Sequence, residues 1–140
     1  MRVTLVVILG LALSGAAHGQ SGNDPEQVVR RVVNTGMIEG GWDQTVLAHL
    51  GDDGAVLATK VLADGKLTPK TIGGALIIVE TSFAEPKLVE VTADREPRTS
   101  LLLLRYLELS TSDAESRKNI ADTRKYVQDR YAKFLKASEQ

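Results

Sequence analysis

Apolar residues recur along this chain mostly at helical spacing. The first such segment opens at Asp24-Pro25, where aspartate suits a cap and proline the first helical position, and Gln27 completes a capping-box spacing. Val28, Val29, Val32 and Val33 then form one stripe, and Gly36 is the expected stop. Valines lower helix propensity, so packing must supply most of this helix's stability. Gly40-Gly41 marks a loop. A short helix is expected from about Asp43 to Leu50, with Val46, Leu47 and Leu50 inward and Gly51 ending it. Asp52 or Asp53 is expected to cap the next helix, which turns Val56, Leu57, Val61 and Leu62 inward and stops at Gly65. Thr68-Pro69 opens a further segment, to about Ala84, with Ile72, Leu76, Ile77, Val79 and Phe83 apolar.

Gly73-Gly74 interrupts that segment at ~1 kcal/mol per glycine relative to alanine. Either a neighbouring helix approaches the backbone there, or the segment is not a helix. Residues 75–83 have strand-like content and residues 87–92 partly alternate, so an α+β fold with a hairpin near residues 75–92 is the alternative. Pro97 reads as another first-turn proline. The four leucines at 101–104, followed by Tyr106, Leu107 and Leu109, predict a central helix buried on most sides. Ser112 and Glu115 fit a capping box for a last helix from Asp113 to about Lys136, with Ile120, Val127, Tyr131 and Phe134 inward and Leu135 beside them. Asp113 with Arg117, and Asp129 with Lys133, are spaced to pair along it.

Helices joined by short capped turns predict an all-α fold, a small antiparallel bundle. The segment VLAHLGDDGAVLATKVL, residues 46–62, has an outline repeated by LVEVTADREPRTSLLLL, residues 88–104. Asp52 then falls on Asp94, Val61 on Leu103 and Leu62 on Leu104, while Arg98 and Thr99 stand where the first unit has Val56 and Leu57. This resembles HEAT or armadillo-like helical repeats, which recur at ~40–47 residues. The resemblance covers roughly residues 46–109 and implies a short stack of helical hairpins with a protein-binding surface.

The N-terminus changes the picture of location. Arg2 precedes an apolar run over residues 3–13, small residues follow, and Ala17 and Gly19 suit cleavage before Gln20. Residues 1–19 therefore read as a secretory signal peptide, residues 20–24 as a flexible lead, and residues 25–140 as one helical domain. The apolar run is about 11 residues, short of the ~20 that span a bilayer, so no transmembrane segment is expected after cleavage. The expected location is periplasmic or secreted. There is no cysteine, which removes disulfides, thiol catalysis and thiolate metal sites. A formal net charge of −1 gives no electrostatic footprint for nucleic acid. The last helix carries Arg117, Lys118, Arg124 and Lys125, but acidic residues interleave with them, as on a solvated face.

Candidate chemistry is sparse. His49 with Asp52 and Asp53 could form a general base or a metal corner, yet one histidine and two turn carboxylates fall short of a zinc site. The plainer reading is a helix-end histidine with aspartates capping the next helix. Trp42, the sole tryptophan, is either an exposed anchor for a partner or cover over a helix start. Nucleophile-elbow and phosphate-loop motifs are missing, and no cofactor is implied. The reading that follows is an exported, non-catalytic helical scaffold or protein-binding module, with Trp42, His49, Asp52 and Asp53 as candidate binding residues. The alternative is a small hydrolase or ligand-binding protein that uses carboxylates and His49.

Overall fold

The structure is a computed structural model that describes residues 24–48, 50–84 and 96–138, with side chains through residue 133. Six helices form among these residues: α1 (Pro25–Thr35), α2 (Gly41–Leu47), α3 (Asp52–Ala63), α4 (Pro69–Ser82), α5 (Arg98–Ser110) and α6 (Ala114–Ser138). No described residue is in a strand, and the fold is all-α. The expected leader at 1–19, His49 and the alternating residues 87–92 lie outside the described residues.

Residues 75–82 are helical, which overturns the α+β alternative at the segment that motivated it. Two local features explain this. Thr68 and Thr71 form a reciprocal capping box: each hydroxyl accepts from the other residue's backbone N–H, at 3.2 and 2.9 Å. Gly74 then lets α1 approach closely. A Cβ there would sit 2.5 Å from the Val32 carbonyl oxygen and 2.6 Å from the Val33 Cα. The α1 valines are all buried against this contact. Gly36, at φ 75°, ends α1 by donating its N–H to the Val32 carbonyl.

The helices pair as two hairpins. α3 and α4 are antiparallel, with the Gly51 N–H donating to the Ser82 carbonyl at 3.0 Å. α5 turns into α6 through residues 111–113. Between the hairpins, α3 packs on α5 and α4 on α6. Both pairs run in the same sense. Asp52, at the start of α3, bonds Thr99 and Ser100 at the start of α5, and Leu62 near the end of α3 shares a cleft with Leu103 and Tyr106. Likewise Glu80 meets Thr123, and Phe83 meets Arg130. α1 lies across α3 and α4. The core runs through all six helices, from Val28 and Leu47 to Leu104, Leu107, Ile120 and Val127.

Several local expectations are corrected. Asp24 occupies the α1 cap position without a side-chain cap bond. Asp52 and Asp53 do not cap α3; Gly51 stands there, and Asp52 turns elsewhere. Val56 is exposed, because Ala55 and Ala58 take the inward face of α3. α5 is not buried on most sides: only Ser100, Leu103, Leu104 and Leu107 are. Asp113, rather than Ser112, caps α6, accepting from the Ser116 N–H at 2.8 Å. Hydrogen bonds from the Ser116 side chain and backbone hold the Asp113 carboxyl below its ordinary value. Its contribution is therefore present above the unfolded-state value and is lost as pH falls through the depressed folded one. The i, i+4 pairs on α6 are Lys118–Asp122 and Lys125–Asp129. Arg117 instead donates to the Glu108 and Thr111 carbonyls.

The two adjacent glycines of α4 should respond oppositely to alanine. Gly74→Ala drives a methyl into the α1 backbone and should cost on the order of 1–3 kcal/mol. Gly73 has open space around its Cβ position, so Gly73→Ala should gain up to ~1 kcal/mol. Urea unfolding followed by circular dichroism distinguishes them, and equal effects would remove the close-approach explanation.

Candidate functional site

His49 is outside the described residues, and no hydrogen bond among the described residues joins Trp42, Asp52 and Asp53. Trp42 sits in the first turn of α2, 60% exposed, so it is not cover over a helix start. Met37, also exposed, lies five residues before it at the α1–α2 corner. Asp53 is exposed and solvated.

Asp52 has a definite task. Its carboxylate accepts from the Thr99 N–H at 2.7 Å, the Ser100 N–H at 2.7 Å and the Ser100 hydroxyl at 2.6 Å. These amides belong to the second and third residues of α5, the donors a capping side chain normally satisfies. The residue at the α5 cap position is Pro97, which has no polar side chain to offer. Asp52 therefore caps the following hairpin, with its charge at the positive end of that helix dipole.

A second carboxylate escaped the sequence reading. Asp43 in the first turn of α2 is buried and pairs with Arg31 of α1 at 2.8 Å. Glu39 lies 3.6 Å from the same guanidinium, so the cluster ties α2 to α1. Nothing in the neighbouring sequence marks Asp43 as buried, because its partner is a helix away.

Two concavities flank α4 and α5. A cleft of about 330 Å³ is lined by Gln44, Ala48, Glu80, Thr81, Ala84 and Tyr126. Among its described lining residues the one carboxylate, Glu80, accepts from the Thr123 hydroxyl at 2.6 Å. Arg130 closes the neighbouring helix end, donating to the Phe83 carbonyl at 3.1 Å and to the Ala84 carbonyl, with its guanidinium 5.7 Å from the Tyr126 ring centroid. Among the described residues, no three His, Cys, Asp or Glu side chains are grouped to hold a metal, and no helix is long and apolar enough to cross a membrane.

The other concavity, about 200 Å³, lies between α3 and α5 and is lined by Thr59, Leu62, Ala63, Leu103 and Tyr106. Beside it runs an outward apolar stripe. Leu102, Tyr106 and Leu109 are 66%, 54% and 70% exposed and recur at i, i+4 and i+7 on one face of α5. The opposite face, through Ser100, Leu104 and Leu107, is fully buried. α5 thus has two apolar faces, and described residues cover only one of them. The leucine run alone read as an all-round core helix. Arg98 and Arg105, placed one turn from Leu102 on either side, were the signal that this flank meets solvent.

Compared with known protein families, curated proteins and solved structures, the chain finds no match.

The two neighbouring aspartates should separate cleanly in a thermal melt. Asp52→Ala strands the α5 amides and should destabilise by on the order of 2 kcal/mol, whereas Asp53→Ala should stay within about 0.5 kcal/mol. Equal melting temperatures for the two variants would contradict the capping role.

Proposed function

We propose that this protein is an exported, non-catalytic helical scaffold that binds another protein through the outer face of α5. The observation that carries the proposal is the Leu102–Tyr106–Leu109 stripe. Leaving three large apolar side chains together in water forgoes roughly 1.5–3 kcal/mol for each that burial would recover. Clustered exposure of this kind marks an interaction surface more often than isolated apolar residues do. The adjoining cleft between α3 and α5 adds concavity, which a partner side chain can fill.

We read the architecture as a short HEAT-like hairpin stack. In support, the side-chain hydrogen bonds that join the two hairpins span 43 to 48 residues, close to the ~40–47-residue period of such repeats. Like helices also stack on like helices in the same direction. The leader-like N-terminal pattern supports export. Exposed Trp42 supplies a second, smaller anchor at the other end of the molecule's sequence order.

Affinity capture from the extracellular or periplasmic fraction tests this reading. Wild type should retain a protein that the double variant Leu102→Asp/Leu109→Asp loses while its helical dichroism is unchanged. Retention of the same proteins by both would contradict it.

A further inference from the structure

We propose that the α5 face receives an amphipathic helix with an acidic rim, supplied by the partner protein. This rests on the reading of α5 as a protein-docking face and names the chemistry of its occupant.

Charge complementarity identifies the occupant. Among the described residues, Arg30, Arg31, Arg117, Arg124 and Arg130 all hold intramolecular partners, in ion pairs or on backbone carbonyls. Arg98 and Arg105 are exposed and hold none among those residues. Both lie on the outward face of α5. Arg98, Leu102, Arg105 and Leu109 follow one another at i, i+4, i+7 and i+11, so cation and apolar side chain alternate along one line. Tyr106 stands on the other flank of this line, towards α3, where it lines the apolar cleft with Leu62 and Leu103.

An occupant matching this surface needs three things. It needs apolar residues one turn apart to cover Leu102 and Leu109. It needs one large apolar side chain to enter the cleft beside Tyr106. It needs carboxylates along the edge that meets Arg98 and Arg105. An amphipathic helix with an acidic rim has all three at 3.6-residue spacing. α5 is 13 residues long, about 20 Å, so roughly four turns of such a helix fit along it. An anionic bilayer shares the charge chemistry but not the shape: a flat lipid surface has no knob for the cleft between α3 and α5.

The test uses two labelled synthetic helices of about 18 residues, with identical leucine faces and either glutamate or lysine rims, and reads fluorescence anisotropy. The glutamate-rimmed peptide should bind on the order of ten-fold more tightly than the lysine-rimmed one at low salt and weaken as salt rises. Arg98→Glu/Arg105→Glu, which disturbs no described contact, should reverse the order of the two peptides. Equal binding of both peptides overturns the acidic assignment while leaving the docking face intact. If neither binds, the acidic assignment falls, and the capture comparison of wild type with Leu102→Asp/Leu109→Asp decides separately whether the face falls with it. Binding to phosphatidylglycerol vesicles through the same arginines, with no peptide binding, also overturns it.

Discussion

The two hairpins of this protein hold each other by capping each other's helix ends. A helix end leaves donors or acceptors without partners and carries a partial charge. At the start of α5 the donors face a proline that cannot help them, and Asp52 reaches across from α3 with a full negative charge. At the end of α4 the acceptors face Arg130, reaching back from α6 with a full positive charge. The signs are those that each dipole favours. Each contact also sets register, because a carboxylate bonded to two successive amides admits no slip of α3 along α5. The apolar core supplies most of the driving force, but apolar contact is non-directional and would tolerate neighbouring registers. The end caps choose among them.

Close approach does the corresponding work on the other side of α4. Four valines of α1 offer stiff, short side chains, and Gly74 offers none. The backbones come near enough that the β-branched residues fill the space without a larger side chain between them. A similar economy appears at Gly54, whose missing Cβ leaves room for the Ser82 hydroxyl. That hydroxyl is buried and has no hydrogen-bond partner among the described residues, which costs about 1–3 kcal/mol.

What the sequence disclosed was periodic or local. The α1 stripe, the Gly36 stop, the Thr68-Pro69 start and the all-helical class follow from spacing and cap chemistry within a few residues. What it hid was set at a distance. Asp52 looked like a cap and is one, but for a helix 47 residues away rather than its own. Asp43 stood only as the expected start of a short helix, and only the placement of Arg31 gives this buried carboxylate its ion-pair partner. The leucines of α5 looked like a core helix, because apolar content does not say how many neighbours a helix has. Of the candidate residues, Trp42 is exposed, and the Asp53 side chain has no hydrogen bond or ion pair among the described residues. Leu102, Tyr106 and Leu109 were visible as apolar residues but not as an exposed surface.

The docking surface proposed for α5 depends on helix ends that are held in place. If cross-hairpin capping fixes them, loss of Asp52 should loosen one hairpin against the other before it loosens either within itself. Native-state hydrogen exchange on the Asp52→Ala protein reads this most directly. Amide protection should fall first at Thr99, Ser100 and the α5 amides that follow, while α1 and the α3–α4 hairpin keep theirs. Protection lost equally across all helices, or unchanged at the start of α5, would contradict it.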